Sequence, residues 1–345
     1  MASAAQLSRQ LLFRLAGADV LAPALRAVGR GLLSILKLHR FTDPDAKVVG
    51  TDPGALRDHL AYLRRHRYRL VSLTEMLTLL RDGDAAGVPA VAFTVDDGHA
   101  DFARVGAPLF AEYDCPVTLF VTTGFVDGQL WLWWDRVAHM FQQTQRSSIT
   151  LGLGPARRTH RWSNAHERTE ARREVVHHLE RLDTPEREPL ITDLAHQLDV
   201  ELSVTPPPAY APVTWTEVRQ MARHGVTYGP HTVTHRILNQ APRDACDWEI
   251  QESYRQLRRQ TDACVPVFCY PAGRAGPREF EAVRRAGLEA AVTTTPAYAG
   301  LAELGTLARF ALPRFPCPDD RPHLVNVVAG LARFRGQVWP ETTSL

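Results

Sequence analysis

Short apolar runs alternate with amphipathic stretches along most of this chain, the pattern of a parallel sheet whose strands are joined by crossover helices. The runs predict strands over 33–38, 68–72, 91–95, 117–121, 226–228, 267–270 and 290–294. The stretches between them predict helices over 55–65, 74–81, 103–113, 215–224, 245–262 and 277–286. Seven or eight strands connected in this way are enough to close a barrel, and an open doubly wound sheet would give a similar string. The sequence alone leaves both open.

The rhythm breaks over 142–212, which is polar and charged, holds two predicted helices (165–182 and 185–198) and ends near the stiff run Pro206, Pro207, Pro208. An insertion of this length above the strand ends is expected to be a lid or substrate wall, or else an oligomer contact or decoration. Before the first strand, Leu7, Leu11, Leu12, Leu15, Leu25, Leu32, Leu33 and Leu36 are interrupted by Arg9, Arg14, Asp19, Arg26 and Arg30 too often for a membrane-spanning helix. A helix packed on the domain is the simpler reading of this segment, and a basic amphipathic helix lying on a membrane surface is the alternative. The order of features that makes a signal peptide is not visible.

Composition adds little to this picture. Over 345 residues, 45% apolar and 23% charged content is ordinary for a soluble globular protein, and a net charge of +2 gives no overall pull toward nucleic acid. Five cysteines, Cys115, Cys246, Cys264, Cys269 and Cys317, are an odd number without Cys-x-x-Cys spacing, which fits thiols better than a disulfide scaffold. Cysteine usage and the lack of a signal favour a cytoplasmic location, with a peripheral-membrane or exported one as alternatives.

The chemistry sits just after the strands. Asp96 and Asp97 end the apolar run that starts at Val91, and His231 and His235 follow the strand at 226–228. Adjacent carboxylates repel unless a cation or a proton separates them, although turn and capping residues ahead of Gly98 would also read this way. Two histidines four apart project from one face of a helical turn, and the lead-in Gly229, Pro230 is expected to put them at a helix start. Fourteen histidines make such a pair weak by itself. In parallel α/β architectures, however, the strand ends share one face, so the acidic pair and the histidine pair should converge. A carboxylate with two imidazoles is a metal-ligand set with open positions, and a second carboxylate beside it is free to move protons. A metal-dependent hydrolase is the expectation.

Three segments in order, Phe93-Thr94-Val95-Asp96-Asp97-Gly98, His231-Thr232-Val233-Thr234-His235 and Phe268-Cys269-Tyr270-Pro271-Ala272-Gly273, resemble the motifs of the polysaccharide deacetylases, the NodB-like carbohydrate esterases. The resemblance runs from about Ile35 to Phe315 and includes Leu36-Lys37-Leu38-His39-Arg40. It implies an α/β fold, a deformed (β/α)7-type barrel with a helical insertion, and hydrolysis of an N-acetyl group on an amino sugar or glycan. The implied organisation is an N-terminal helical segment over 1–32, a barrel over 33–330 with its insertion at about 142–212, and a tail over 331–345. By motif position, Asp97, His231 and His235 would bind a divalent metal, usually zinc in this family, which polarises the carbonyl and acidifies a water. Asp96 would be the general base, and the backbone N–H of Ala272 would help hold the oxyanion, with Gly273 permitting close approach.

Departures from the family pattern are equally specific. Cys269 stands where many members carry the arginine that orients the base, and Arg314, in Leu312-Pro313-Arg314-Phe315, is a candidate replacement or a surface arginine. The late Leu-x-His that supplies a general acid is missing; His323 lacks that context, and His99 is a local alternative or a rim residue. Trp131, Trp133 and Trp134 offer a sugar-stacking floor or core packing. These gaps keep two other readings in view: a deformylase or other amidohydrolase on a related C–N bond, and a catalytically weak glycan-binding relative. The expected partner is an N-acylated sugar or glycan, with no nucleic acid and no transmembrane span, and with peripheral membrane contact through the N-terminal helix as an option. Oligomeric state is not legible.

Overall fold

Strands buried on both faces are mostly apolar, and β1 (Leu33–Leu38) and β3 (Ala90–Val95) are such strands, with every residue buried and Ser34, Lys37 and Thr94 the polar exceptions. The computed structural model of the chain describes residues 19–82, 87, 89–153, 156–300 and 307–334. A short helix α1 (Ala22–Val28) leads into β1, followed by α2 (Pro53–Arg65), β2 (Arg69–Leu70), α3 (Leu73–Asp82), β3, α4 (Ala107–Glu112) and β4 (Val117–Val121). The insertion then intervenes, after which come α8 (Trp215–Ala222), β7 (Val226–Pro230), α9 (Arg243–Gln260), β8 (Val267–Cys269), α10 (Pro277–Arg285), β9 (Ala290–Val292), β10 (Phe315–Pro316) and α11 (Arg321–Val328). Local signals set many boundaries: Asp52 caps α2 ahead of Pro53, and Thr214 with Glu217 forms a capping box on α8.

Parallel ladders run in the order β10-β1-β3-β4-β7, and β8 pairs with β9. Two seams are held only by isolated bridges, Tyr228 with Cys264 and Val292 with Leu312. The architecture is therefore a deformed α/β barrel that continuous ladders do not close. Strand β2 touches only Ala90 and Val91 of β3, so it is shorter than the run at 68–72 implied. The helix expected over 103–113 opens with a wide turn at Phe102–Gly106. Pro108 has no N–H to give to the turn before it, which accounts for the widening.

Alternation along the strands decides what faces the barrel axis. Leu33 and Ile35 of β1, Ala90 and Ala92 of β3, Phe120 of β4, Val267 and Cys269 of β8, and Ala290 and Val292 of β9 share one apolar cluster. Leu36, Leu38, Val91, Phe93 and Val95 pack outward in a separate cluster with residues of the surrounding helices. Continuing the inner rows by steps of two brings Lys37 and His39 from β1, Thr94 and Asp96 from β3, and Arg314 after Leu312 toward one mouth. The site is built at that end.

The insertion has its own core. Helix α5 (Trp133–Gln143), the hairpin of β5 (Ser148–Leu153) and β6 (Ala156–Arg161), α6 (Ala165–Leu179) and α7 (Thr184–Leu198) bury Trp133, Trp134, Phe141, Ile149, Leu151, Val175 and Leu194 together. The chain then returns to the barrel, where Ala100 N–H donates to Ala211 O and Val213 N–H to Gly98 O, stitching the insertion to the residues just after the acidic pair. At the N-terminal side, Ala22 and Leu25 pack on the barrel core, while Leu7, Leu11, Leu12 and Leu15 lie outside the described residues, as does the tail beyond 334. Among the described residues, no helix is long and apolar enough to cross a membrane. All five cysteines are free thiols.

Candidate active site

Neighbouring carboxylates part company because the backbone turns between them. Asp96 is still tied to the sheet, its N–H donating to Leu38 O at 3.0 Å, so its side chain continues the inner row of β3. Asp97 has φ +77° and Gly98 φ +98°, left-handed conformations that swing the Asp97 carboxylate toward the end of β7. Both side chains are buried, at 2% and 3% exposure.

His231 and His235 are not at a helix start. His231 N–H donates to Val121 O and prolongs the β4–β7 ladder, and the chain then runs through a loop with Thr232 at φ +65° and His235 at φ +55°. The loop is clamped from several sides. Thr123 N–H and Gly124 N–H donate to the carbonyls of Thr232 and Val233, and the buried Glu249 of α9 accepts from Val233 N–H (2.7 Å), Thr234 N–H (3.0 Å) and the Thr234 hydroxyl. Sequence spacing suggested one helical face; the tertiary clamp from Glu249 achieves the same convergence without a helix.

The Nε2 atoms of both imidazoles lie 3.4 Å from Asp97 Oδ1. His231 donates from Nδ1 to Cys269 O at 2.7 Å, which turns its Nε2 toward Asp97. His235 packs edge-on against Trp134, with ring centroids 4.4 Å apart. Burial alone would raise Asp97, but hydrogen bonds with His231 and His235 hold its carboxyl well below the usual range. Burial lowers His235, whereas His231 is held well above its ordinary value against burial, with Cys269 and Asp97 beside it. These three donors lie within 4.8 Å of one another and are all buried. One carboxylate and two imidazoles gathered so closely fit a divalent cation. Asp96, His231 and Cys269 approach as closely, but Asp96 and Cys269 already accept hydrogen bonds from Arg314.

Arg314 is wholly buried and has all five N–H groups engaged. Nε donates to Thr293 O (2.9 Å), Nη1 to Thr94 Oγ1 (3.0 Å) and Asp96 Oδ1 (2.7 Å), and Nη2 to Asp96 Oδ2 (2.7 Å) and Cys269 Sγ (3.2 Å). The two parallel bonds to Asp96 fix the plane of that carboxylate. Burial would raise Asp96, but the guanidinium outweighs it and holds the carboxyl well below the usual range, while Asp96 keeps Arg314 charged against burial.

His39 was not assigned a role from the sequence. Its Nε2 stands 3.7 Å from Asp96 Oδ2, and its side chain keeps 22% exposure toward the cleft. Burial, reinforced by Lys37 and opposed by Asp96, pushes its pKa down to about 4, so it is neutral at physiological pH. The signal that finds it is the period-two row Leu33, Ile35, Lys37, His39. His99 is no rim residue. It is 1% exposed, with Nε2–H donating to Asp135 Oδ2 at 2.8 Å and Nδ1 lying 4.0 Å from Asp97 Oδ2. Ala272 sits in a tight turn at φ +54°, followed by Gly273 at φ +65°. A Cβ on Gly273 would stand 2.2 Å from Thr294 Oγ1, which explains why glycine is needed there.

A cleft of about 540 Å³ opens over these groups, lined by His39, Asp97 and His99 from the barrel and by Trp134, Arg172 and Tyr210 from the insertion side. The insertion is thus a wall of the cleft. Trp134 reaches the cleft, while Trp131 packs against His139 and Tyr210, and Trp133 lies under the Arg187 guanidinium.

Comparison with known proteins bears on the fold and the family. A deacetylase of Streptococcus pyogenes, PplD, solved in complex with acetate, is 18% identical with a TM-score of 0.56, over 86% of this chain and 98% of that one. IcaB from Ammonifex degensii is 16% identical with a TM-score of 0.53, over 86% and 97% of the two chains. BC0361, a polysaccharide deacetylase from Bacillus cereus, is 13% identical with a TM-score of 0.53, over 86% and 69%. YxkH of Bacillus subtilis, provisionally named a polysaccharide deacetylase, is 26% identical over 84 residues, 24% of this chain and 30% of its own length. The family model for polysaccharide deacetylase matches residues 83–291, more than half of the sequence, and the chain belongs to that family of hydrolases acting on acetylated glycans.

Proposed function

We propose that this protein removes an N-acetyl group from an amino sugar or glycan, with Asp97, His231 and His235 holding a divalent cation, most simply zinc, and with Asp96 as general base. The observation that carries this reading is the pairing of a buried three-donor set with a second carboxylate locked at its side by Arg314. A cation held there supplies Lewis-acid polarisation of the acyl carbonyl and a lowered pKa for a water.

The remaining roles belong to the chain itself. Asp96 stays ionised under the influence of Arg314 and accepts the proton of the attacking water. Arg314 acts through Asp96 by fixing its orientation. His39, neutral before the reaction, lies where a proton gained at Asp96 can pass to the leaving nitrogen. The N–H of Ala272 helps to hold the oxyanion, and its left-handed backbone is the strained feature that supports this assignment. His99, held by Asp135 through Nε2 with its Nδ1 4.0 Å from Asp97 Oδ2, stands beside the ligand carboxylate, and this reading gives the proton transfer to His39 instead.

The test is a set of three variants. Asp97→Ala and His231→Ala should lose bound metal, measured by elemental analysis, whereas Asp96→Asn should keep the metal and lose about 10²–10⁴ in kcat. An Asp97→Ala protein that still holds one tightly bound zinc per chain would sink the ligand assignment. The deformylase alternative drew its motive from the missing arginine and late histidine, and Arg314 and His39 occupy those roles in this reading. Assaying acetate against formate release from matched N-acyl sugars separates the two.

A further inference from the structure

The barrel alone does not fix the two loops that carry the chemistry relative to one another. Among the described residues β7 and β8 share no ladder, and the bridge of Tyr228 with Cys264 comes before β8 begins. At the mouth, His231 Nδ1 reaches Cys269 O (2.7 Å) across this seam, and Arg278 Nη2 donates to Leu238 O (2.6 Å). The insertion spans the same seam from outside.

Its contacts converge on one turn. Between α6 and α7 the chain runs through Glu180, Arg181, Leu182 and Asp183. Asp183 accepts from Arg236 Nε (2.8 Å) and Nη2 (2.5 Å), a two-pronged pair whose side chains are 16% and 17% exposed. Arg236 follows His235 directly, so this pair grips the metal loop just beyond the stretch that Glu249 holds. Glu180 Oε1 pairs with Arg274 Nη2 (3.1 Å), and Arg274 follows Ala272 and Gly273 directly. The Glu180 carbonyl also accepts from Gln240 Nε2 (2.9 Å). One short turn therefore holds the chain after β7 and the chain after β8.

Helix α7 adds a support by packing. The Arg187 guanidinium, 2% exposed, lies 4.6 Å over Trp133. Trp133 meets Trp134 edge-on at 5.6 Å, and Trp134 meets His235 edge-on at 4.4 Å. The start of α7 thus reaches His235 in two ways, by a charged pair through its neighbour and by a stack against its ring. A two-pronged guanidinium–carboxylate pair sets orientation as well as position, and losing the partners that orient a metal ligand costs about 10–100-fold in affinity.

We propose that the turn between α6 and α7 is a positioning element of the active site, in which Asp183 sets the 231–235 loop through Arg236 and Glu180 sets the Ala272 turn through Arg274. The inference rests on reading Asp97, His231 and His235 as metal ligands and Ala272 as an oxyanion donor, and it adds the residues that hold them in place.

The experiment uses the full chain loaded with zinc or with cobalt(II). Asparagine caps helices as well as aspartate does, so Asp183→Asn keeps α7 capped while removing the charge that grips Arg236. It should weaken zinc binding by about tenfold in a chelator competition and shift the visible absorption bands of the cobalt(II) protein, which report ligand geometry. Arg236→Gln should do the same, and the double variant should lose no more than either single one, because both break one interaction. Glu180→Ala should leave zinc affinity unchanged and lower kcat, not KM, by about threefold, the size of a partly exposed pair acting on a transition-state contact. Two variants measure a merely structural effect. Arg146→Ala breaks the pair with Asp199 at the other end of α7, about 22 Å away, and Ile191→Val trims the insertion core under the same helix and lowers the unfolding temperature. Both should keep native zinc affinity and cobalt bands. Native affinity and bands in Asp183→Asn, or an equal loss in Ile191→Val, overturn the inference even where an acyl sugar is still hydrolysed. An unchanged kcat in Glu180→Ala overturns its Glu180 half. Zinc affinity lost in Asp183→Asn but kept in Ile191→Val, in a protein that hydrolyses no acyl sugar, upholds the positioning role while defeating the deacetylase reading.

Discussion

Arg314→Met is the perturbation with the most to say about this site. It removes five hydrogen bonds and, among the described residues, the only guanidinium bonded to Asp96, and it leaves a carboxylate of 2% exposure without that partner. Breaking a buried ion pair by removing one member costs about 3–5 kcal/mol, well beyond the ~1 kcal/mol of a surface pair. The sign with pH follows from the directions of the shifts. In the native protein Asp96 is depressed, so its contribution to stability is fully present above the unfolded value of about 3.9 and is lost as pH falls toward its folded value. In Arg314→Met, burial, the largest influence on Asp96, is still opposed by His39 and His231 but no longer by the guanidinium, and it raises the carboxyl, so stability is lost as pH climbs past about 3.9. The difference between the two proteins should therefore be largest near neutrality and shrink below about pH 4.

Urea unfolding of the metal-free proteins from acid to neutral pH measures this directly. Turnover should fall by about 10²–10⁴ at neutral pH, because a protonated Asp96 cannot accept a proton, and the acid limb of the rate profile should move upward. Arg314→Lys restores charge without the two-pronged geometry and should recover part of the stability but little of the rate. A Met variant with native kcat, an unmoved pH profile and a loss below ~1 kcal/mol would refute the reasoning.

Three further outcomes are expected. His39→Asn should lower kcat most for acyl sugars whose leaving amine is basic and least for activated anilides; an equal loss on both would remove His39 from proton transfer. Glu249→Ala frees three donors of the 231–235 loop and should weaken metal binding by about 10–100-fold in a chelator competition, whereas unchanged affinity would show that the loop holds itself. Gly273→Ala forces a Cβ against the Thr294 hydroxyl and backbone at φ +65°, and should cost about 1–3 kcal/mol in thermal unfolding together with a fall in kcat; a neutral effect would mean that the Ala272 turn is not needed.

What was legible in the sequence follows from how local its causes are. The strands at 33–38 and 117–121 match β1 and β4 residue for residue, because a buried parallel strand is dominated by apolar residues and its few polar ones, Ser34, Lys37 and Thr118, do not break the run. Asp96, Asp97, His231 and His235 were nameable because strand ends in such folds face one way. The loop conformation of 231–235 was not, since Glu249, far along α9, dictates it. The β5–β6 hairpin escaped because β6 is Ala156-Arg157-Arg158-Thr159-His160-Arg161, with no apolar alternation; its partner supplies Ile149 and Leu151 to the insertion core. Arg314 could be named but not placed. Only the fold reveals that the row Leu312, Arg314 reaches the same mouth as Thr94 and Asp96.

That placement bears on what the altered third motif means. If Cys269 simply marked a lost arginine, Asp96 would be a buried carboxylate without a counter-charge, which burial would protonate. Instead, the Cys269 sulfur lies against Arg314 Nη2 at 3.2 Å, and the guanidinium meets Asp96 through both of its terminal nitrogens. A short side chain at 269 leaves room for the guanidinium that enters from the β10 side, whereas a second arginine there would bring two like charges together in a dry pocket. On the proposed reading, the cysteine and the late arginine act together, with the charge beside Asp96 supplied from a different strand. In that reading the guanidinium keeps ionised a base that a purely glycan-binding relative would not use. The glycan-binding reading rested on the missing acid as well as the missing arginine, and on the proposed reading Arg314 answers the second.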